Sequence, residues 1–316
     1  MPEVYIIILN YKNWRDVVEC LESIFHATYN NFKVVVIDNH SQNDSLLQLT
    51  NWAAAHPILN HADNGFKYIS LDRDYLDANF HSIQFPRLTF VQNNENTGFA
   101  SGNNVMLKHL KDTDAYIWML NPDMTIDKNA ITELVNFAAN HTKHSIIGST
   151  VKYHSHPDKI HFYAGGIINF NSATTTLAEK ISDIPKLDYV SGGALFTHAS
   201  NFKTIGLLPE HYFLYWEETD WCYHSKKLGY QILACTSAIC YDKISTSIGK
   251  SYLADFYYVR NGLIFLLKYN EKKIPIAVFF GFIRMMKRFL AGKFKRARGV
   301  FDGIVSFLKM DHDENK

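Results

Sequence analysis

The sequence predicts an α/β fold: a mainly parallel sheet flanked by helices, with a helical extension at the C-terminus. Three observations carry this expectation. Short apolar runs, several rich in β-branched residues, recur through the first half of the chain. Helical periodicity fills intervals between them, and from Phe256 onward the pattern is mostly helical.

In chain order, "VYIIIL", "VVVI", "LTFV", "YIWML" and "SIIGSTV" read as strands buried on both faces. Between the first two, Val17, Leu21, Ile24 and Phe25 recur at helical spacing. After the fourth, Ile131, Leu134, Val135 and Ala138 do the same, with Asp127 placed to cap that helix. Alternating strands and helices imply a parallel sheet with helices on both faces, whose ligands bind beyond the carboxyl ends of the strands. Residues 57–86 are polar and turn-rich and read as an excursion. From Ile160 to Ala199 the pattern turns to glycine-punctuated β runs, among them "FYAGGIINF" and "YVSGGALFTH".

The chain has 316 residues, 47% hydrophobic and 20% charged, enough for one large domain or a domain with an appendage. A formal charge of +1 argues against a general polyanion binder such as a nucleic-acid protein, so any basic region is local. Cys20, Cys222, Cys235 and Cys240 include no C-x-x-C pair, which disfavours a zinc or disulfide framework and suits a reducing cytoplasm. No signal-peptide pattern opens the sequence, and "IPIAVFFGFI" is too short to span a bilayer.

The strand ends carry the candidate chemistry. Strand one ends at Asn10-Tyr11 and strand two at Asp38-Asn39; strand three leads into "NNENTGFASGNN" and strand four into Asn121-Pro122-Asp123. Any one of these is an ordinary turn composition, but four polar ends on one side of a sheet can line a crevice. Asp38 can accept from the imide N–H of a uracil or thymine, and Gly98 and Gly102 let backbone approach a ligand, with Asn103 and Asn104 offering amides. Asp123 is the natural ligand for Mg²⁺ or Mn²⁺, which prefer oxygen and share their shell with substrate phosphates. Asp72 and Asp74 in "LDRDY" have acid-x-acid spacing but read as a solvated loop, and His154, His156 and His161 as a surface loop. In "FLYWEETDWCYHSKKLGY", Glu217, Glu218 and Asp220 lie among Trp216 and Trp221, where desolvation raises a carboxyl toward a useful general base. The competing reading is a helix N-terminus enriched in acids. Gly192-Gly193 permits the close approach an acceptor pocket needs. Asp242, Lys243, Ser245, Ser247, Arg260 and Asn261 follow, and Lys243 and Arg260 can neutralise a diphosphate leaving group.

With these motifs in place, the chain resembles the family 2 glycosyltransferases of GT-A fold, especially their rhamnosyltransferase-like branch. The resemblance runs from residue 4 to about residue 270. It rests on "IIILNYKN", "VVVIDNHSQNDS", "NTGFASGNN", "MLNPDM", "SGGALFTHAS", "FLYWEETDWCYHSKKLGY" and "YYVRNGLIFLLKY" in that order. It implies metal-dependent, inverting transfer of a hexose, rhamnose favoured, from a dTDP- or UDP-type donor to a glycan or lipid-linked acceptor in cell-surface polysaccharide synthesis. Asn10, Tyr11 and Asp38 match nucleoside-binding positions, and Asn96, Gly98 and Asn104 fall in the motif after the third strand. With Asn121, Lys243 and Arg260 they make up the expected donor site; Gly192, Gly193 and Trp216 make up the acceptor site. Asp123 matches the metal-binding acid of the family's DXD position, whose first acid is here Asn121. Glu218 stands at the catalytic base, with Glu217 and Asp220 beside it. Asp242 stands where many relatives carry a metal-ligating His. The implied organisation is a glycosyltransferase domain over 1–255, nucleotide-binding over about 1–125 and acceptor-binding over about 126–255, with an extension over 256–316. The alternatives are a non-catalytic nucleotide-sugar-binding protein and a nucleotidyltransferase.

"FIRMMKRFLAGKFKRARG" bears Arg284, Lys287, Arg288, Lys293, Lys295, Arg296 and Arg298 among apolar residues and no acid. It reads as an amphipathic helix for an anionic membrane surface, which would place the protein peripherally at the inner face of the cell membrane. A packed tail with a solvated basic face, or a homodimer contact, is the competing reading.

Overall fold

The computed structural model describes residues 1–56, 68–243 and 251–310. Ser245, Ser247 and the first part of the 57–86 excursion lie outside the described residues. The chain opens with β1 (Val4–Asn10), α1 (Trp14–Phe25), β2 (Phe32–Asp38) and α2 (Ser45–Ala55). β3 (Tyr68–Asp72), α3 (Arg73–Asn79), β4 (Leu88–Gln92), α4 (Gly98–Leu110) and β5 (Tyr116–Leu120) follow. Next come β6 (Met124–Ile126), α5 (Ala130–Ala139), β7 (Ser145–Tyr153), β8 (His156–Tyr163), β9 (Gly165–Asn169) and β10 (Thr174–Leu177). β11 (Tyr189–Val190), β12 (Ala194–His198), α6 (Ser200–Thr204), α7 (Glu217–Lys227) and β13 (Gln231–Asp242) complete the sheets. The chain ends in α8 (Tyr252–Tyr269), α9 (Ile274–Leu290) and α10 (Phe294–Leu308).

Among the described residues, one sheet of 10 strands has the order β3-β4-β2-β1-β5-β12-β7-β13-β6, with β8 added on β7. From β3 to β5 every pairing is parallel, whereas β12 runs antiparallel between β5 and β7. The apolar runs are continuous because alternate residues enter different cores. Ile7, Val35, Ile37, Ile117 and Met119 join one cluster, while Ile6, Ile8, Val34, Val36, Trp118 and Leu120 join the other. α1 and α5 cover the second face with the residues the spacing predicts, from Val17 to Phe25 and from Ile131 to Ala138. Each fully buried Val, Leu or Ile contributes about 1.5–3 kcal/mol, so this two-sided burial fixes the strand ends firmly.

Several local expectations are corrected. "LDRDY" is not a loop: Asp72 ends β3, an edge strand parallel to β4, and α3 starts at Arg73, although both acids are exposed. The segment escapes an apolar-run search because an edge strand needs little burial. The His-rich segment is a β-hairpin, β7 with β8, rather than a loop. Asp127 does not cap α5: the helix starts at Ala130 behind Asn129, and the Asp127 carboxylate instead accepts the Asn129 N–H at 2.9 Å. The basic C-terminal segment is two helices, broken at Gly292, where φ is +70°. α8 runs across the 255/256 position, and its Val259, Leu263, Ile264, Phe265 and Leu266 enter the same core as Trp216 and Trp221.

Candidate active site

The parallel register brings the ends of β1, β2 and β4 level, with Asn10 beside Asp38 and Asp38 beside Gln92. Asp38 is buried, and its carboxylate accepts from Asn10 Nδ2 at 2.7 Å, Ser41 N at 2.9 Å and Gln92 Nε2 at 3.0 Å. Charge-assisted bonds of this kind make Asp38 a knot that ties three strand ends together. Its oxygens are engaged from within, so the expected contact to a base has to share an acceptor already in use. Tyr11, next to the knot, is 42% exposed. Hydrogen bonds from Lys12 and then Asn96 hold its phenol below the ordinary range. Asn96 Oδ1 also accepts from Asn39 Nδ2 at 3.0 Å and Gly98 N at 3.1 Å, joining the loops after β1, β2 and β4.

Two expected donor contacts work inside the protein instead. Gly98 has φ of +84°, and a Cβ there would lie 2.2 Å from the Phe213 carbonyl oxygen, so close packing of loop on loop requires the glycine. Asn104 is buried; its Nδ2 donates to Leu208 O and Glu210 Oε1, and its Oδ1 accepts Leu208 N. Its whole amide holds the 208–210 loop, leaving no group for a ligand.

Past β5, the backbone turns at Asn121-Pro122-Asp123. β13 pairs antiparallel with β6 so that Asp242 lies opposite Met124, one residue from Asp123, and Lys243 N donates to Asp123 O at 3.2 Å. Both acids are half-buried. Asp242 Oδ2 is 3.4 Å from His161 Nδ1, on the hairpin strand β8. Among the described residues there is no group of three or more His, Cys, Asp or Glu poised to hold a metal. Asp123 and Asp242, brought close in backbone by the β6–β13 pairing, are nevertheless of the oxygen-donor type that suits a hard divalent ion drawing its remaining oxygens from a diphosphate. Lys243 Nζ pairs with Asp16 at 2.7 Å and Glu19 at 2.5 Å on α1. Arg260, partly buried, donates to Asn261 Oδ1 at 3.1 Å.

The carboxylates of α7 sit behind a strained turn. Tyr215 and Trp216 both have left-handed backbone, with φ of 65° and 77°. Asn261, fully buried on α8, donates to the carbonyls of Leu214 at 2.8 Å and Tyr215 at 3.1 Å and so pins that turn. Strain held in this way by surrounding structure is concentrated at functional sites. Glu217 is buried and its Oε2 has no hydrogen-bond partner. Burial, and then the charge of Glu218, push its carboxyl well above the usual range. Burial raises Glu218 as well, but backbone N–H groups of Glu218, Thr219 and Gly192 oppose the rise. Glu218 is the more accessible of the two. Of the two, Glu217 is the more strongly biased toward its neutral form and Glu218 the more readily ionised.

Gly192-Gly193 joins the two halves of the site. A Cβ on Gly192 would come within 3.3 Å of Glu218 Cγ, and one on Gly193 within 3.0 Å of Asn121 Nδ2; Gly193 O also accepts Asn121 N at 2.9 Å. The other two expected residues face away. Asp220 is buried against α8, where it accepts from Lys268 Nζ at 2.9 and 3.0 Å and from the Tyr269 hydroxyl, so it is a structural ion pair and not a second acid at the crevice. Trp216 is buried, donates Nε1 to Tyr258 O at 3.0 Å and packs on Phe265, which leaves no ring face for an acceptor. Sequence reasoning ranked Asn, Asp and Trp here by residue type, and the same types serve equally well as packing and turn locks. The role of Asn261 had only one signal, an amide inside an apolar helix.

Comparison with known proteins agrees with this architecture. The family model described as Glycosyl transferase family 2 matches residues 5–81 and 72–205. The low-salt glycan biosynthesis hexosyltransferase Agl10 of Haloferax volcanii is 24% identical over 245 residues, covering 74% of this chain. The chain spans 65% of that relative's length, just under two thirds. Among solved structures, mannosyltransferase PcManGT from Pyrobaculum calidifontis, in complex with GDP-Man and Mn²⁺, has a TM-score of 0.57 at 12% identity over 98% of this chain and 87% of its own. GalNAc-T7 with UDP, GalNAc and Mn²⁺ has a TM-score of 0.59 at 11% identity over 99% of this chain and 57% of its own. At these identities the structural likeness establishes a shared fold, the GT-A arrangement.

Proposed function

The chain belongs to glycosyl transferase family 2, and from that premise we propose that it moves a hexosyl group from a nucleoside-diphosphate donor to a hydroxyl of a glycan or lipid-linked acceptor. The observation that carries this reading is the Gly192-Gly193 link, which sets Glu218 beside the Asn121–Asp123 turn at the carboxyl side of the sheet. Tyr11, exposed beside the Asp38 knot, offers a ring face to the base, and Asn96 fixes its position. Rhamnose on a dTDP- or UDP-type carrier is the favoured donor, on the resemblance to the rhamnosyltransferase-like branch.

Glu218 accepts the proton of the acceptor hydroxyl as that oxygen bonds to the anomeric carbon. The bond from that carbon to the diphosphate oxygen breaks on the opposite face, and one displacement inverts the centre. Glu217, biased by burial toward its neutral form, spares Glu218 a second adjacent charge. Asp123 and Asp242 are the residues that would hold Mg²⁺ or Mn²⁺, and the bound ion supplies Lewis-acid stabilisation of the departing diphosphate. Glycan synthesis by the Haloferax relative, and Mn²⁺ beside nucleotide or nucleotide-sugar in the two solved neighbours, support the substrate class and the metal.

Among the described residues no helix is long and apolar enough to cross a membrane. Phe279, Phe282, Met286 and Phe289 are nevertheless exposed at spacings that place them on one stripe of α9, with Lys287, Lys293 and Lys295 exposed nearby. They support docking at the cytoplasmic face of a membrane; replacing Phe282 and Phe289 by serine should abolish flotation with anionic vesicles.

A panel of nucleoside-diphosphate hexoses with Mn²⁺, read out as released nucleoside diphosphate and glycosylated product, tests the reaction. Binding without turnover would make the protein a nucleotide-sugar binder. Turnover of nucleoside triphosphates instead would make it a nucleotidyltransferase.

A further inference from the structure

One residue of the His-rich hairpin reaches the site. β7 and β8 pair with Val151 opposite Phe162 and Lys152 opposite Ile160, so His161 is an extra residue between two paired ones, a β-bulge. Bulges re-aim a side chain and recur next to active sites. β8 and β13 both pair with Thr150–Tyr153 of β7, and so lie on its two edges. From β8 the bulged His161 brings Nδ1 to 3.4 Å from Asp242 Oδ2 on β13, so the two side chains meet across β7. The rings of Tyr153 and Phe162, with centroids 4.7 and 5.0 Å from that of the imidazole, pack it in this position.

His161 Nδ1 is buried and has no hydrogen-bond partner, so its approach to Asp242 is close without being an aligned bond. A buried polar atom held in this way is costly unless it serves a purpose. Asp242 is fixed in backbone by its places opposite Met124 in β6 and Tyr153 in β7, and its carbonyl accepts His154 N at 2.8 Å. These contacts set where the main chain of Asp242 lies but not which way its carboxylate turns. A ring N–H behind one carboxylate oxygen leaves the other to a cation, and ligand groups supported by such a partner hold metals more tightly.

We propose that His161 is the positioning residue of Asp242: its Nδ1–H donates to Oδ2 and holds the carboxylate for a divalent cation. This deepens the metal role proposed for Asp123 and Asp242 and rests on it. The competing role is a clasp that closes β8 onto the sheet, which would alter stability and leave cation affinity unchanged.

The test is the affinity of the full chain for Mn²⁺, alone and with UDP, by calorimetry and by the spin resonance of the bound ion. It compares wild type, His161→Phe, His161→Asn, Asp242→Asn and the His161→Phe/Asp242→Asn double variant. Phenylalanine keeps a ring and removes the N–H, whereas asparagine restores a side-chain N–H. Thermal unfolding verifies folding, and His161→Leu replaces His161→Phe if that variant fails to fold. His161→Phe should weaken Mn²⁺ binding roughly 10- to 100-fold, and His161→Asn should stay within about threefold of wild type. In the Asp242→Asn background His161→Phe should change affinity by less than about twofold, because its effect runs through that carboxylate. Wild-type affinity in a folded His161→Phe, with Asp242→Asn impaired, overturns the positioning role and leaves the metal role standing. A lowered melting temperature beside that unchanged affinity identifies the clasp. Equal weakening by Phe and Asn, or additive losses in the double variant, also overturns it. A nitrogen bonded directly to the bound Mn²⁺ in wild type and missing from His161→Phe would make His161 a ligand and not a positioning residue. Wild-type affinity in Asp242→Asn would instead remove Asp242 from the metal site, and the inference with it.

Discussion

Replacing Asn261 by alanine removes the two hydrogen bonds that pin the turn ahead of Glu217 and Glu218. Left-handed backbone at Tyr215 and Trp216 costs about 1–2 kcal/mol per residue, so the turn stores roughly 2–4 kcal/mol. Each lost amide bond removes about 0.5–1.5 kcal/mol net, and a buried carbonyl left unpaired costs about 1–3 kcal/mol. The restraint and the strain are of the same size, so the variant turn relaxes and α7 shifts. The two lost bonds remove about 1–3 kcal/mol and relaxation returns part of the strain, so global stability should fall by about 1–2 kcal/mol in urea unfolding. Per folded molecule, kcat should fall about 100-fold, the usual cost of a misplacement near 1 Å, while donor affinity changes by less than about twofold. Relaxation also exposes Glu218 to water, so the acidic limb of the pH–rate profile should move to lower pH. Loss of stability with unchanged kcat and an unchanged profile would refute positioning and leave Asn261 a packing residue.

Other perturbations separate the remaining roles. Glu217→Gln should make the protein more stable than wild type at about pH 8 and lose that advantage toward about pH 5. The folded-state carboxyl is raised by burial, so its contribution is present at low pH and lost as pH rises toward the raised value. A wild type that melts higher at the alkaline end would contradict this. Gly193→Ala forces a Cβ to within 2.9 Å of Met124 Cε and 3.0 Å of Asn121 Nδ2, so it should cost about 1–3 kcal/mol and weaken donor binding by calorimetry. Unchanged donor affinity would remove Asn121 from the donor site. Asp220→Asn breaks a buried ion pair with Lys268 and should cost about 3–5 kcal/mol, with kcat per folded molecule near wild type. A collapse of kcat there would restore Asp220 to the catalytic set.

The sheet was legible wherever strands are buried on both faces, because uninterrupted apolar runs follow from that burial, as in "YIWML". β3 was not, because it lies at the sheet edge and its residues are only partly buried or exposed. At the site, the Asn121–Asp123 turn and the acid pair on α7 stood out because polar residues stop an apolar run or interrupt an aromatic one. What sequence could not assign was direction. Asp220 is three residues from Glu217 yet points to Lys268, and Asn104 and Gly98 are held by loops more than a hundred residues away. The arginines of α9 and α10 likewise read as a basic face, since Asp255, which gathers them, lies on a different helix.

The central claim is that Glu218 removes the acceptor proton in a site assembled around a nucleoside-diphosphate sugar. The most direct measurement is turnover of the donor identified by screening, with Mn²⁺, by wild type and by Glu218→Gln, alongside donor binding to both. The account predicts a product of inverted anomeric configuration from the wild type. It predicts a loss of about 100- to 10,000-fold in kcat for the variant, with donor affinity retained. Near-normal turnover by Glu218→Gln, or a product of retained configuration, would contradict it.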